Sequence, residues 1–528
     1  MAKGHRVFPN LYRDSVSLMQ VSAAIAAAPG VDQASAVMAS ESNLEILRAA
    51  GLLDEAGDFG ASDLLIVVEG DEAAVAEALA SSEALLTHEA SPAGGTGPAP
   101  TPPRSIAMGL NALPAANLAL ISTPGDYAAV EAQKALSLGL NVMMFSDNVA
   151  LADEIALKRA ADAGGLMVMG PDCGTAIIDG VPLGFANAVR RGAVGVVAAS
   201  GTGLQQVTCL VDRWGDGISQ AIGTGGRDLK AEVGGATMLR GLSALADDAD
   251  TRVIVLVSKP PAQAVARRLL DAAAKVDKPV VVNFLGADLA DNDDAGVYAA
   301  PTLDAAAAIA VALAAGGERP AGTGADTPQP PGSAIAGLAP GQRFVRGLFS
   351  GGTFCYEALL LLSEALGPVY SNTPIDPDLA LADPWRSREN TVVDLGEDIF
   401  TRGRPHPMID GTIRNERIVA EAGDASVAVI LLDLVLGHGA HGDPAAEMAP
   451  AIRAARQRAA DDGRRLAFVA SVCGTDADPQ GLGRQEAMLR EADVLLADSN
   501  AAAVRLAARI ATRDEAIAAT KRAAGRTR

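Results

Sequence analysis

The sequence predicts an α/β protein with several parallel-sheet domains, and three observations support this class. The chain has 528 residues, and since a single hydrophobic core stops growing near about 250–300 residues, several domains are expected. Apolar residues make up 49% and charged residues 20%, a balance typical of a globular chain that buries a large core. Short apolar runs alternate with alanine-rich stretches, which favours parallel strands covered by helices on both faces.

Two stretches rich in Pro, Gly, Ala and Thr divide the chain. Residues 89–103 and 317–333 lack large apolar groups and are predicted to be linkers. The parts between them are predicted as follows: a small α+β module at 1–88, a Rossmann-like unit at 104–190, and two flavodoxin-type units at 191–316 and 334–528.

Ten apolar runs are predicted to be the strands of these parallel sheets. They lie at 117–122, 141–146, 166–170, 193–200, 253–258, 279–286, 343–350, 428–437, 467–472 and 494–498. The long polar stretch 370–427 contains no such run and is predicted to be a loop-rich insertion near an active site.

An internal repeat relates residues 194–211 to residues 343–362. Each copy has an apolar run, a Ser-Gly turn and a helix with a cysteine near its second turn. The segment Ser200-Gly201-Thr202-Gly203 corresponds to Ser350-Gly351-Gly352-Thr353. The first turn of a helix leaves amide groups unpaired and its dipole favours an anion, so both turns are predicted to bind phosphate. The alternative is that they only cap their helices.

Charge and cysteine spacing exclude several classes of protein. The net charge of −21 argues against binding to nucleic acid or to an anionic membrane, since phosphate-rich surfaces require basic partners. The four cysteines lie far apart without a CxxC motif, which indicates neither a zinc site nor a disulfide framework. No apolar run is long enough for a membrane span and the N-terminus does not look like a signal peptide, so a cytoplasmic protein is expected.

Several motifs resemble succinyl-CoA synthetase. Residues 169–178 (MGPDCGTAII), 194–203 (VGVVAASGTG) and 222–229 (IGTGGRDL) resemble segments of its α subunit, and residues 347–358 with 392–400 resemble its β subunit. The resemblance implies domains of the succinyl-CoA synthetase type: a CoA-binding-like Rossmann domain at 104–190 and ligase-like domains at 191–316 and 334–528. It also implies a phosphate held between two helix N-termini.

The single-chain fusion, the N-terminal module and the segment LGHGAHGDP (436–444) resemble the FdrA family. That resemblance implies the large subunit of an oxamate carbamoyltransferase, which works with partner subunits in allantoin breakdown and splits oxalurate with phosphate into oxamate and carbamoyl phosphate. Residues 276–316 contain no histidine to carry a phosphate, and the chain has no room for an ATP-grasp domain.

The missing histidine and the missing ATP-grasp domain favour a subunit of a phosphate-dependent carbamoyl or acyl transferase. Two alternatives stay open. One is an NDP-forming acyl-CoA synthetase whose ATP-grasp domain is a separate chain, and the other is a non-catalytic scaffold for partner subunits.

The site residues predicted beyond the two phosphate-binding turns fall into three groups. His438, His441 and Arg227 are the predicted catalytic residues, as general acid–base and phosphate-binding groups. Arg402, Arg404 and His406 are the predicted substrate-binding residues. The resemblance implies that Thr123, Pro124, Gly125 and Tyr127 bind CoA or a nucleotide. The acidic group Asp394, Glu397 and Asp398 is interpreted either as a substrate or metal ligand set or as a solvated loop.

Overall fold

A computed structural model describes residues 2–13, 15–53, 59–60, 62–87, 103–290, 292, 295–320, 326–402 and 404–513. Its layered strands and helices confirm the predicted α/β fold class. Almost all of the predicted linker 89–103, and residues 321–325 of the second one, lie outside the described residues. The chain divides into two compact units, Met1–Cys173 with Asp398–Asp410 and Gly174–Glu397 with Gly411–Arg528.

The N-terminal part of the first unit is a three-stranded antiparallel sheet in the order β1-β3-β2. Its elements are β1 (Ala2–Phe8), α1 (Ser15–Ala26), β2 (Val31–Met38), α2 (Glu41–Ala49), β3 (Leu64–Gly70) and α3 (Glu72–Thr87). The central strand β3 is apolar from Leu64 to Val68, so alternate residues can be buried on opposite faces. Ile66 packs with α1 and α3, and Val67 packs with α2.

The rest of the first unit contains a small parallel sheet in the order β4-β5-β6. Its elements are α4 (Ile106–Ala112), β4 (Leu118–Ile121), α5 (Gly125–Ser137), β5 (Asn141–Met144), α6 (Leu151–Ala163) and β6 (Val168–Met169). Alanines of α5 pack on β5, and their small size lets helix and strand lie close together.

The second unit contains two larger sheets. The first is built from β7 (Thr175–Ile178), β8 (Val181–Gly184), β9 (Arg191–Ala199), α7 (Gly201–Arg213), β10 (Ile218–Gly223), α8 (Ala236–Asp247), β11 (Val253–Ser258), α9 (Gln263–Ala273), β12 (Val280–Phe284), β13 (Val297–Ala299) and α10 (Leu303–Ala314). The short α11 (Gly332–Ala336) follows.

The second sheet of this unit is built from β14 (Phe344–Phe349), α12 (Gly352–Leu366), β15 (Tyr370–Ser371), β16 (Thr391–Asp394), α14 (Thr412–Glu421), β17 (Val427–Val435), α15 (Pro444–Asp461), β18 (Ala467–Cys473), α16 (Leu482–Glu491), β19 (Val494–Ala497) and α17 (Asn500–Thr512). The one-turn helix α13 (Asp398–Thr401) lies in the segment that groups with the first unit.

The two sheets have similar cores and different edges. Their strand orders are β13-β12-β11-β9-β10-β7-β8 and β15-β16-β14-β17-β18-β19. The first strand of each repeat copy is an inner strand, β9 between β10 and β11 and β14 between β16 and β17, a doubly wound order with a switch point beside β9 and beside β14. This agreement supports the internal repeat that the sequence predicts. In such sheets ligands bind beyond the carboxyl ends of the strands at the switch point.

Several features differ from the predicted strands. Residues 175–184, assigned from the sequence to the Rossmann-like unit, form a hairpin that pairs antiparallel with β10 of the larger sheet. Strands β10, β13, β15 and β16 were not among the predicted runs, because each is short. The polar stretch 370–427 therefore supplies two strands of the sheet as well as loops. The predicted domain boundaries themselves stay a prediction.

No helix in the described ranges has the length and apolar character that crossing a membrane requires.

A buried carboxylate joins the two halves of the second unit. Glu357 on α12 accepts hydrogen bonds from the amide of Leu303 (2.9 Å) at the start of α10 and from the side-chain amide of Asn500 (2.8 Å) at the start of α17. Burial, and then the nearby Asp304 carboxylate, raise the pKa of Glu357 to about 7. The folded protein therefore holds a proton on Glu357 that the unfolded chain loses near its ordinary pKa of 4.5.

We predict that Glu357→Gln removes part of the pH dependence of stability. Because the folded-state pKa is raised, the contribution of Glu357 is present below about pH 4.5 and is lost as the pH rises toward 7. As the pH rises from 5 to 8, the unfolding free energy of the variant should increase by roughly 1–3 kcal/mol relative to that of the wild type. Urea denaturation measures this difference. The exposed Glu364→Gln on the same helix is the control, and an identical pH dependence in all three proteins would contradict the prediction.

Candidate functional site

The two repeated Ser-Gly turns meet within the second unit. The Ser200 hydroxyl follows β9, accepts a hydrogen bond from the Gly203 amide (2.9 Å) and shares a hydrogen bond with the Thr353 hydroxyl (2.6 Å between the oxygens). The Cα of Gly351 faces the side chain of Thr202, since a Cβ added to Gly351 would stand 2.9 Å from Thr202 Cγ2. The N-termini of α7 and α12 are therefore in direct contact.

Free hydrogen-bond donors collect at this contact. Within the part of the chain that the structure describes, the amides of Gly201, Thr202, Gly352 and Thr353 have no acceptor. Gly201 is exposed and Gly352 is half-buried, whereas Thr202 and Thr353 are buried, so the two glycines are the accessible side of the junction. Unpaired amides and the positive ends of two helix dipoles make this junction suited to an anion.

An internal carboxylate already fills part of the predicted second turn. Asp433, buried on β17, accepts hydrogen bonds from the Ser350 amide (2.8 Å), the Ser350 hydroxyl (2.9 Å) and the Gly351 amide (2.8 Å). Arg414 on α14 pairs with Asp433 at 3.2 Å. The amides of Ser350 and Gly351 therefore donate to Asp433, and the predicted binding of phosphate by these two residues stays a prediction.

Arg414 and Asp433 form a buried ion pair. Burial lowers the pKa of Arg414, while Asp433 and Glu447 oppose this effect. A buried charge without its partner is costly, so both groups are needed to hold the start of α12 in place. Sequence reasoning missed both residues. A single aspartate inside the apolar run AVILLDLVLG was the one available signal for Asp433, and nothing in the sequence marked Arg414.

Two further charged groups reach the start of α12. Lys259 directly follows β11, and its Nζ lies 3.5 Å from the position that a Cβ on Gly352 would occupy. Asp394 ends β16, and its Oδ2 lies 2.6 Å from the same position. Since any side chain at 352 would displace these groups, the glycine is required by their close approach. Lys259 was missed by sequence reasoning, although its place after a buried strand is a usual one for site residues.

The predicted catalytic residues lie in two loops, one after β17 and one after β10. His438 is exposed and its backbone amide donates to the Ala186 carbonyl (2.8 Å), whereas His441 is half-buried and its Nδ1 accepts from the Asp443 amide (3.0 Å) at the start of α15. Arg227 is half-buried in the turn after β10. The His438 amide thus joins its loop to the segment that contains Ala186, and His441 holds its own loop together. The catalytic role of all three residues stays a prediction.

The predicted substrate-binding residues lie in the segment 398–410, which groups with the first unit. Arg402 and Arg404 are exposed, and the His406 Nδ1 accepts a hydrogen bond from the Met408 amide (3.2 Å). Their binding of substrate stays a prediction. Of the acidic group, Asp398 belongs to this segment, while Asp394 and Glu397 belong to the second unit. No group of three or more residues suited to hold a metal ion occurs among the described residues.

The turn predicted to bind CoA begins α5 and is lined by acceptors. A Cβ on Gly125 would stand 2.3 Å from the carbonyl oxygen of Asp147 and 2.7 Å from that of Asn148, so this glycine is needed for the packing of the neighbouring loop. Burial, and then Asp398, raise the pKa of Asp147, and Asp126 adds a carboxylate in the first turn of α5.

These acceptors and carboxylates do not fit a diphosphate, which needs donors and positive charge. Of the other predicted residues of this turn, Thr123 and Pro124 are half-buried and Tyr127 is 44% exposed. Their binding of CoA or a nucleotide stays a prediction, and no chemical step is derived through either group.

Comparison with known proteins agrees with the fold. Residues 348–510 match the family described as CoA-ligase. Residues 1–102 match a family described as the heavy metal-associated domain of AllF, although this range contains no cysteine.

One more distant relative is SauD, a subunit of the ADP-forming sulfoacetate-CoA ligase of Bilophila wadsworthia. It is 26% identical over a match that covers 29% of this chain and 54% of SauD. Another is the succinate–CoA ligase α subunit of Staphylococcus epidermidis, 26% identical over 33% of this chain and 58% of that subunit. The match therefore spans little more than half of each of these relatives. Superposition on the dinucleotide-forming acetyl-coenzyme A synthetase 1 of Ca. Korarchaeum cryptofilum gives a TM-score of 0.31 at 15% identity, covering 75% of this chain and 83% of that one.

The fold and the family match define a protein with a CoA-ligase domain. The chain belongs to the family of the Escherichia coli K12 protein YahF, itself described as uncharacterized, with which it is 45% identical over 496 residues, 93% of this chain and 95% of YahF.

We predict that the two turn glycines differ in tolerance to alanine. In Gly351→Ala the new Cβ would stand 2.8 Å from the Phe354 ring and 2.9 Å from Thr202, so the helix N-termini must separate. A loss of about 1–3 kcal/mol is expected. In Gly201→Ala the Cβ meets only the Thr175 hydroxyl at 3.5 Å, and stability should be unchanged or slightly higher. Chemical denaturation compares the two, and equal losses would refute the described contact.

Proposed function

We propose that this chain binds inorganic phosphate, or the phosphate end of an acyl phosphate, where the N-termini of α7 and α12 meet, and that it is a subunit of a cytoplasmic acyl-transferring enzyme. The observation that carries the proposal is the 2.6 Å contact between the Ser200 and Thr353 hydroxyls, which places the free amides of both helices side by side. A tetrahedral oxyanion can accept hydrogen bonds from several of these donors at once.

The hydroxyl pair adds a donor to the amides. Ser200 and Thr353 share one hydrogen bond, so one of their two O–H groups stays available for an anion. In acyl transfer to phosphate, such fixed donors would orient the attacking oxygen and stabilise charge on the phosphate and the acyl oxygen. No nucleophilic side chain is needed for this chemistry.

Two reactions fit this proposal. Phosphate-dependent carbamoyl transfer, from oxalurate to oxamate and carbamoyl phosphate, is supported by the absence of histidine from residues 276–316 and by the poor fit of the Gly125 turn to a diphosphate. NDP-forming acyl-CoA synthesis is supported by the CoA-ligase family match and by the CoA-ligase subunits among the relatives. Both reactions would require partner subunits, and the second would require a separate ATP-grasp chain.

We predict that Thr353→Val weakens phosphate binding. The variant keeps the shape of the side chain but removes a hydroxyl that can reach the anion, and a hydrogen bond to a charged group contributes about 1.5–3 kcal/mol, or roughly tenfold or more in affinity. Titration calorimetry with inorganic phosphate measures this. The control is Thr208→Val on α7, whose hydroxyl donates to the Gln205 carbonyl instead. Phosphate binding that is absent in wild type, or equal in both variants, would defeat the proposal.

An assay of the products distinguishes carbamoyl transfer from acyl-CoA synthesis. The full-length chain is co-expressed with the proteins encoded beside it, and the purified complex is given oxalurate and phosphate, or a carboxylic acid with ATP and CoA. Release of carbamoyl phosphate is expected in the first mixture. If only the second mixture reacts and forms a thioester, the reaction is acyl-CoA synthesis and carbamoyl transfer is wrong.

A further inference from the structure

Lys259 reaches from one half of the second unit to the other. Lys259 follows β11 of the seven-stranded sheet, next to the switch point at which Ser200 follows β9. Its Nζ lies near the Gly352 backbone and 5.9 Å from the centre of the Tyr356 ring on α12. The ammonium group therefore lies over the start of a helix that belongs to the opposite half.

The ammonium group faces the Asp394 carboxylate without forming a close ion pair. Among the described residues Lys259 makes no hydrogen bond, and its charge lowers the pKa of Asp394. A helix N-terminus carries a partial positive charge, so a cation beside two of them is stabilised by a further negative group that lies between. An anion there could also accept hydrogen bonds from the free amides of Gly201, Thr202, Gly352 and Thr353. One bound anion would therefore suit both features of this junction.

Asp394 approaches Gly352 on the same side as Lys259, since both would contact a Cβ at that position, and it is fixed in place. It is buried, its Oδ1 accepts from the Gly396 amide (3.0 Å), and its backbone is held by two hydrogen bonds with the Asn372 side chain (both 2.9 Å). Burial raises the pKa of Asp394 to about 7, Lys259 opposes this, and Glu397 and Asp433 add to it. Burial also raises the pKa of the Cys355 thiol well above the ordinary value and raises the pKa of the Tyr356 hydroxyl, so both groups stay neutral.

We propose that Lys259 and Asp394 are the catalytic pair of this site, Lys259 as the cation that binds the phosphate and Asp394 as the group that moves the proton of the reaction. This inference rests on the proposed function. Neither residue belongs to the repeated turns, and each comes from a different sheet. The pair is complete only when both halves of the unit are assembled.

The proton balance of acyl transfer explains the need for Asp394. When monohydrogen phosphate attacks an acyl group, a phosphorus-bound oxygen forms a bond to the acyl carbon and the bond from that carbon to the leaving group breaks. The phosphate loses one proton and the leaving group gains one. Protonated Asp394 can give its proton to the leaving group and then accept the proton of the phosphate, so that no other reagent is consumed.

The leaving group decides how strongly this proton transfer matters. A nitrogen leaving group, as in an N-carbamoyl amide, cannot depart as an anion at neutral pH and needs the proton. A thiolate departs readily without it. Asp394→Asn should therefore lower the turnover of a carbamoyl amide far more than that of a thioester.

The binding role is tested first with oxyanions alone. Titration calorimetry with phosphate, and with sulfate whose charge is constant between pH 6 and pH 8, is run on the full-length wild-type chain, Lys259→Met and Asp394→Asn. The control is Lys275→Met, which removes a charge from an exposed position of the same half. Lys259→Met is expected to lower the affinity for both anions about tenfold or more, and Lys275→Met is expected to leave both affinities unchanged.

The pH dependence tests Asp394. Because ionised Asp394 repels an anion, sulfate affinity of the wild type is expected to fall several-fold between pH 6 and pH 8. In Asp394→Asn the affinity should stay constant. Thermal melting confirms that each variant is folded before its binding is compared.

The outcomes separate this inference from the proposed function. If wild type binds phosphate but folded Lys259→Met binds it equally well, or Asp394→Asn keeps the wild-type pH dependence of sulfate binding, the catalytic pair is wrong and the phosphate site stands. If wild type binds neither anion, the proposed function itself fails.

Discussion

The contact between two helix N-termini is the constraint on which the second unit depends. Two positive helix ends repel each other, so their approach within hydrogen-bond distance at Ser200 and Thr353 must be compensated. The buried Asp433 carboxylate compensates the end of α12 and is itself balanced by Arg414. The end of α7 has no comparable internal carboxylate among the residues described. A bound anion would supply that missing charge, which is why the contact is understood here as a binding site.

The same constraint explains the glycines of the site. At Gly351 the backbone faces Thr202, and at Gly352 it faces Asp394 and Lys259, so side chains at either position would separate the two halves. Five residues further along α12, Glu357 joins the halves again between the starts of α10 and α17. These contacts along the first half of α12 fix one orientation of the two sheets, and the donors at the junction are ordered before any ligand arrives.

Much of this arrangement could be predicted from the sequence, because it depends on local patterns. The apolar runs predicted most strands, and the Ser-Gly repeat predicted that two similar helix starts occur in two similar units. The pairing of β7 and β8 with the larger sheet was not predictable, since it depends on an antiparallel partner, β10, that the pattern did not mark.

The charged groups of the site show where sequence reasoning stops. Lys259, Asp394, Asp433 and Arg414 are separated by up to 174 residues and become neighbours only through the order of the strands. The histidines were prominent in the sequence because the chain has only five, yet His441 fixes a helix start. Rarity of a residue type is a weak guide compared with its place at a strand end.

The most direct test of the account is a crystal structure of the protein with tungstate, a tetrahedral oxyanion with strong scattering. The account predicts one oxyanion within about 3 Å of the Gly201, Thr202, Gly352 and Thr353 amides, with the Lys259 ammonium group turned toward it. Helices α7 and α12 that lie apart, or an oxyanion bound only elsewhere, would contradict it.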